Sequence, residues 1–117
     1  MKITDLKPTI VWKFFHQVTQ VPRPSKKEGK MIEFLESFAK EYKIAIKKDE
    51  AGNLLMSKPA TPGMEDRPVV VLQSHMDMVC EKNNGTKHDF DNDPIETIVD
   101  GEWLRANGTT LGADNGI

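Results

Sequence analysis

Four consecutive apolar residues, three valines and a leucine, follow Pro68 and occupy positions 69–72. An unbroken, mostly β-branched run of this kind is typical of a strand that is buried on both faces, inside a parallel or mixed sheet. Polar residues come only at its end, where Ser74, His75 and Asp77 follow. Ligands of open α/β sheets bind beyond the carboxyl ends of the strands. Residues 68–77 therefore predict a central strand with a candidate site at its end.

The spacing of His75 and Asp77 favours a particular chemistry at that site. Side chains of an extended backbone alternate with a period of two, so these two side chains should point the same way. An imidazole that binds a metal through one nitrogen commonly donates its other N–H to a carboxylate. The tripeptide by itself is weakly specific. A strand end that runs into a polar loop therefore remains an equal alternative at this point.

Length and charge narrow the class of protein. The 117 residues are enough for one small domain but few for a complete α/β enzyme. A net charge of −2 gives no electrostatic argument for nucleic acid or an anionic membrane as a partner. No signal peptide or membrane-spanning run is visible, and the single cysteine, Cys80, excludes an internal disulfide framework. These features predict a soluble cytoplasmic protein. No activating base can be assigned to Cys80, which favours a packed side chain over a nucleophile.

Periodicity predicts two helices and two hairpins around this strand. Pro8 can open a first helix, which should end before Val21, and residues 25–28 match a capping box for a second. Alternating patterns predict one hairpin over residues 43–57 and another over 95–105, with Asp100-Gly101 as its turn. The apolar faces of the two helices consist of Val11, Phe14, Phe15 and Val18, and of Met31, Phe34, Leu35, Phe38 and Tyr42.

Two polar stretches follow the predicted strand. Asp89, Asp91 and Asp93 have the spacing of a calcium-binding EF-hand loop, but Pro94 stands where that loop needs glycine. A solvated loop is the better interpretation. The glycine-rich residues 107–117 lack the lysine and hydroxyl of a phosphate-binding loop. These glycines predict a tight backbone turn around a buried carboxylate, Asp114, ahead of a helix.

Three motifs together resemble a known family. The likeness reaches back through residues 21–28, so it covers nearly the whole chain. The motifs are Ser74-His-Met-Asp-Met-Val-Cys80, Asp100-Gly-Glu-Trp-Leu-Arg-Ala-Asn-Gly-Thr109, and Thr110-Leu-Gly-Ala-Asp-Asn-Gly-Ile117. Taken as a set, they closely resemble the aminoacyl-histidine dipeptidases, the Xaa-His dipeptidases or peptidase D of the M20 family of di-zinc metallopeptidases.

The resemblance implies a fold and a metal site. The expected fold class is α/β, with residues 1–117 as the amino-terminal part of a three-layer catalytic domain whose mixed central sheet is flanked by helices. By the resemblance, His75 is a ligand of one zinc ion, Asp77 orients its imidazole, and Asp114 bridges two zinc ions. Manganese or cobalt would suit the same donors. The remaining ligands and the general base are expected downstream of Ile117, and no lid or dimerisation domain is recognisable.

The resemblance also implies an activity. The expected function is hydrolysis of the peptide bond of Xaa-His dipeptides by a water activated between the two metal ions, within a longer, homodimeric enzyme. The 117 residues alone are expected to be inactive. Two alternatives stay open: another M20-type aminopeptidase or amidase, and a non-catalytic binding domain that keeps the fold.

Overall fold

The computed structural model describes residues 1–112 and 116–117. The chain divides into two compact units. The first combines Met1–Met31 with Ser74–Ile117, and the second consists of Ile32–Gln73. In the described part of the chain, no helix has both the length and the apolar character needed to cross a membrane.

Helix α1 of the first unit spans Thr9–Thr19 and follows a short 3-10 helix at Ile3–Asp5. Pro8 immediately precedes α1, with an extended backbone rather than a helical one. The predicted apolar face is only partly covered, because Val11 is exposed whereas Val18 is buried. The helix ends before the two prolines of residues 22–24, as predicted, since each proline disfavours a helical residue before it.

Helix α2 spans Gly29–Glu41, and the predicted capping box before it is wrong. The first helical residue lies four positions after Ser25, too far for the Ser25 hydroxyl to cap the first turn. Lys26 adopts a left-handed φ of 70°, and its amide donates to the Glu28 carboxylate at 2.8 Å. The Glu28 carboxylate therefore bonds to the Lys26 amide instead of closing a capping box, and the Ser25 hydroxyl bonds to Asp77.

The second unit contains the predicted first hairpin. Strands β1, Ala45–Lys48, and β2, Leu54–Ser57, pair antiparallel, with Ala45 opposite Ser57. The connecting turn depends on Asp49, whose carboxylate accepts hydrogen bonds from the amides of Ala51 and Asn53 at 2.9 and 2.8 Å. A carboxylate that binds nearby amides in this way is typical of aspartate in turns. The hairpin prediction is confirmed.

The prediction of a buried central strand over residues 68–77 is wrong for this structure. No strand is present there, and residues 69–72 are 78–92% exposed. A β-branched run becomes a buried strand only when neighbouring strands satisfy its backbone groups and other elements cover its faces. Within residues 1–112 and 116–117, the strands form only two separate two-stranded antiparallel sheets, and neither includes this segment.

The first unit contains the second predicted hairpin. Strands β3, Thr97–Asp100, and β4, Trp103–Ala106, pair antiparallel, with Asp100 opposite Trp103. The two residues between them are Gly101 and Glu102, so the turn lies one residue later than predicted. Gly101 has a φ of 61°, the left-handed conformation that favours glycine in such turns. The Arg105 guanidinium pairs with the Asp100 carboxylate across the hairpin at 2.8 Å.

Candidate functional site

His75 and Asp77 contact each other directly. The His75 Nδ1 atom lies 2.9 Å from Oδ1 of Asp77, while 72% of the imidazole is exposed. An ionised carboxylate can only accept a hydrogen bond, so the proton of this contact belongs to Nδ1. The lone pair of the neutral ring then lies on Nε2. The structure thus presents an imidazole with one nitrogen held by a carboxylate and the other available to a metal ion or a proton.

Ser25 contacts the same carboxylate. The sequence predicted Ser25 as a helix cap and not as a residue of this site. Its hydroxyl donates to Oδ2 of Asp77 at 2.5 Å. The two oxygens of Asp77 are therefore engaged by different partners, Ser25 on one and His75 on the other. Because the two bonding residues are 52 positions apart, no local pattern could have revealed the contact.

These contacts shift the pKa of Asp77. The hydrogen bond from Ser25, and after it the hydrogen bond from His75, lower the pKa of the carboxyl group from its ordinary value, with slight burial acting in the opposite direction. Both bonds stabilise the charged form. Asp77 is therefore a carboxylate at neutral pH, which is the form that must accept the N–H of His75.

A short backbone bridge places Asp77 beside Ser25. The Ser25 amide donates to the Met78 carbonyl at 3.2 Å, and the Met78 amide donates to the Arg23 carbonyl at 2.9 Å. Pro24 and Met78 thereby form a parallel bridge. The Met78 side chain is 4% exposed and anchors the segment in the core of the first unit. The connector between α1 and α2 thus fixes the backbone next to Asp77.

Arg23 links this connector to the glycine-rich segment. Its side chain is buried, and its guanidinium donates to the carbonyls of Val18 and Val21 at 3.0 and 3.2 Å and to that of Gly112 at 2.7 Å. Gly112 also lies against Met78, because a Cβ atom added to it would come 3.3 Å from Cγ of Met78. The segments that carry two of the sequence motifs therefore pack against each other.

A second set of bonds joins the same two segments. The Thr110 amide donates to the Glu81 carbonyl at 2.9 Å, and the Thr110 hydroxyl donates to the Val79 carbonyl at 2.6 Å. Lys82 and Thr109 form an antiparallel bridge. The chain that follows Asp77 thus runs alongside the chain that approaches residue 114.

Asp114 itself lies outside the described residues, and so its predicted place beside His75 stays a prediction. Among residues 1–112 and 116–117, no three His, Cys, Asp or Glu side chains converge on a point where they could hold a metal ion. In the acidic loop, the Asp89 carboxylate accepts hydrogen bonds from the backbone amide of Asp91 and the side-chain amide of Asn92. The described part of the site is the triplet of Ser25, Asp77 and His75.

Cys80 closely follows His75 and Asp77 in the sequence, but its thiol is not activated as a nucleophile. Its thiol is partly buried and points to the Met78 carbonyl at 3.5 Å. Burial, followed by the charges of Asp91 and Glu81, raises the pKa of the thiol. Because the thiolate is the nucleophilic form, a raised pKa makes Cys80 a poor nucleophile at neutral pH.

Comparison with known proteins identifies dipeptidases as relatives. Over 116 residues the chain is 49% identical to the cytosol non-specific dipeptidase of Escherichia coli K12. The aligned region covers 99% of this chain and 24% of the relative. No model of a protein family matches the chain. The resemblance to dipeptidases that the sequence motifs indicated is therefore confirmed, for a chain that spans about a quarter of its relative's length.

A solved structure shows the same relationship. The crystal structure of aminoacylhistidine dipeptidase from Vibrio alginolyticus matches with a TM-score of 0.93 and 47% identity, over 99% of this chain and 24% of that one. The α/β class predicted from the sequence is confirmed, since the two helices and two small antiparallel sheets reproduce part of a dipeptidase.

Proposed function

We propose that this chain supplies one side of a metal-dependent peptidase site, in a protein that hydrolyses the peptide bond of Xaa-His dipeptides. The arrangement of His75 on Asp77 carries the proposal, because it prepares one imidazole nitrogen for a metal ion. The names of the E. coli and Vibrio relatives support a dipeptidase, and the motifs support the M20 type within that class.

The donor atoms suit zinc. An imidazole nitrogen and carboxylate oxygens are among the ligands that zinc takes in catalytic sites. We assign His75 as a ligand of one ion and Asp114 as the carboxylate shared by two, with manganese or cobalt as ions that the same donors accept. When bound, such a metal pair lowers the pKa of a water molecule so that it can attack a peptide carbonyl near neutral pH.

Residues of the chain position the donor atoms of this proposed site. Asp77 holds the proton of His75 on Nδ1, which keeps the lone pair on Nε2. Met78 and Gly112 pack together, and so the segments leading from His75 and towards Asp114 are joined through the core of the first unit. We expect this packing to bring together the two segments that carry the proposed ligands His75 and Asp114.

A broader substrate range is the second candidate. The E. coli relative is named a non-specific dipeptidase, whereas the Vibrio relative is named for aminoacylhistidine substrates. Hydrolysis of a panel of dipeptides that differ only in the carboxyl-terminal residue separates the two. A kcat/KM for Xaa-His at least about tenfold above the others, equivalent to 1.4 kcal/mol in the transition state, indicates histidine selectivity.

We place the protein in the cytoplasm, with short peptides as its partners and a homodimer as the form of the whole enzyme. The cytosolic name of the E. coli relative supports the location. The single cysteine agrees with a reducing compartment.

Metal content and dipeptide hydrolysis of the full-length protein test the proposal. We expect His75→Ala and Asp114→Ala to lose bound zinc and to reduce kcat/KM by more than about 100-fold, because even residues behind the metal ligands cost 10 to 100-fold when removed. Asp66→Ala is the matched control for Asp114→Ala, since Asp66 is exposed and pairs only loosely with Arg67 at 3.9 Å. Full activity in both His75→Ala and Asp114→Ala would reject the proposal.

A further inference from the structure

We infer that Ser25 is a positioning residue, which fixes the Asp77 carboxylate so that it orients the His75 imidazole. The hydroxyl lies 2.5 Å from Oδ2 of Asp77, and the imidazole Nδ1 lies 2.9 Å from Oδ1. The inference rests on the proposed function, in which His75 is a metal ligand. It adds a residue from the connector between α1 and α2 to that site.

The exposure of the imidazole makes this support necessary. With 72% of its side chain exposed, His75 receives little orientation from packing. Its direction depends on the hydrogen bond to Asp77. A carboxylate bonded through one oxygen alone can still rotate about its terminal torsion, which is broad rather than sharply staggered. A second bond, to the other oxygen, removes that freedom.

The Ser25 hydroxyl is well suited to provide the second bond. It has one proton to donate, and Oδ2 of Asp77 at 2.5 Å is a much closer acceptor than the Met78 carbonyl at 3.4 Å. A hydroxyl that donates to a carboxylate at about 2.5–2.7 Å forms a charge-assisted bond, roughly twice as strong as a neutral one. The contact is therefore a strong constraint on Asp77.

Ser25 is itself held independently of its side chain. Its amide donates to the Met78 carbonyl at 3.2 Å, and the Met78 amide donates to the carbonyl of Arg23 at 2.9 Å. The residue that carries the hydroxyl and the residue after Asp77 are thus tied through backbone bonds, which Ser25→Ala leaves in place. A change in the behaviour of His75 in that variant can be traced to the lost hydroxyl.

The first measurement is the tautomer of His75 in the metal-free protein, read from nitrogen-15 NMR of the imidazole at neutral pH. In the parent protein we expect the proton mainly on Nδ1. Ser25→Ala should shift the population towards the tautomer with the proton on Nε2, and Ser25→Thr, which keeps a hydroxyl, should restore the parent spectrum. Ser57→Ala, at an exposed position in β2, is the matched control and should change nothing.

The second measurement is zinc affinity of the full-length protein by chelator competition, with kcat and KM for a dipeptide alongside it. We expect Ser25→Ala to weaken zinc binding about tenfold, at the lower end of the range for residues behind a metal ligand. It should lower kcat and leave KM within about twofold. Ser25→Thr should bind zinc nearly as the parent does. If Ser25→Ala fails to fold, Ser25→Cys, a similar-sized side chain with a weak donor, should give a smaller shift in the same direction.

Two results would overturn the inference. One is a folded Ser25→Ala protein with the parent tautomer and parent zinc affinity, while Asp77→Ala loses both. The other is a folded Ser25→Thr protein that behaves like Ser25→Ala, because the hydroxyl would then be irrelevant. If the parent protein bound no zinc, the proposed function would fail, and the tautomer measurement on metal-free protein would still decide the role of Ser25.

Discussion

The two units of the chain differ in the sequence distance over which their side chains interact. In the first unit, the Arg23 guanidinium bonds to the carbonyl of Gly112, 89 residues away, and the Ser25 hydroxyl bonds to Asp77, 52 residues away. In the second unit, the Asp49 carboxylate bonds to Asn53, four residues away. The candidate site lies in the first unit, where separate parts of the chain must meet.

Two apolar residues, one from each unit, show what decides burial. Met78 of the first unit is 4% exposed; its backbone pairs with the connector at Pro24, and Gly112 lies against its side chain. Leu72, of the second unit, is 92% exposed although it is just as apolar. Apolar character alone therefore does not decide burial. A residue enters the core only where other segments of the chain supply the covering surface.

The largest effect is expected when the buried Arg23 guanidinium, which links the connector to Gly112, is removed. Arg23→Ala deletes a buried guanidinium and leaves the carbonyls of Val18, Val21 and Gly112 without this donor. We expect the free energy of unfolding to fall by about 3 kcal/mol or more, since three hydrogen bonds from a charged donor are lost together and each contributes about 1.5–3 kcal/mol. Urea unfolding followed by tryptophan fluorescence measures this, because Trp12 and Trp103 both belong to the first unit.

Arg105→Ala is the matched control for that experiment. Its guanidinium pairs with Asp100 at 2.8 Å, but both side chains are more than half exposed. Exposed ion pairs contribute about 0–1 kcal/mol, so the control should lose no more than about 1 kcal/mol. Equal losses in Arg23→Ala and Arg105→Ala would contradict the view that buried long-range bonds stabilise the first unit.

A smaller effect is expected from a pair of apolar truncations that compare the two units directly. Met78→Ala should lower the free energy of unfolding by about 2–4 kcal/mol, because it leaves a cavity in the core of the first unit. Leu72→Ala should change the free energy of unfolding by less than about 0.5 kcal/mol, since an exposed side chain leaves no cavity. Chemical denaturation of both variants measures the difference. A loss at Leu72 as large as the loss at Met78 would show that residues 69–72 are covered in solution.

The smallest effect is expected in the local turn of the second unit. The side chain and then the amide of Asn53 lower the pKa of Asp49 from its ordinary value of 3.8. Because the folded pKa is depressed, the stabilisation is fully present above about pH 4 and is lost as the pH falls through the lower folded value. Asn53→Ala should raise the pKa of Asp49 towards 3.8, without reaching it, because backbone amides still bond to the carboxylate.

Carbon-13 NMR of the Asp49 carboxyl group measures that pKa directly. Asp66→Ala, which removes an exposed aspartate that pairs with Arg67, is the control and should leave the titration of Asp49 unchanged. An unaltered pKa in Asn53→Ala would mean that the side-chain bond from Asn53 does not persist in solution.

The features that sequence reasoning predicted correctly are those in which bonding partners are close along the chain. The hairpin over β1 and β2 and the one over β3 and β4 follow from alternating residues on either side of turn residues, and the prolines at 22 and 24 end α1. The contact of His75 with Asp77 belongs to the same class, because their spacing of two suffices to bring them together.

The failures of sequence reasoning have a common cause. Ser25 matched a capping box, yet α2 begins only at Gly29 and the Ser25 hydroxyl donates to the Asp77 carboxylate. The sequence does not predict the role of Arg23, because its partner Gly112 is 89 residues away. Residues 69–72 have the composition of a buried strand, but composition does not supply the neighbouring strands that such burial requires.

The sequence by itself determined the helices, the hairpins, the likeness to dipeptidases and the pairing of His75 with Asp77, because each depends on the order of nearby residues or on motifs read directly. Only the tertiary structure decided that Ser25 completes this pair, that Arg23 ties Gly112 to the connector, and that Met78 rather than Leu72 is buried. The physical reason is that hydrogen bonds and burial depend on distance in space. Chain separations of 50 to 90 residues leave that distance unspecified until the fold closes.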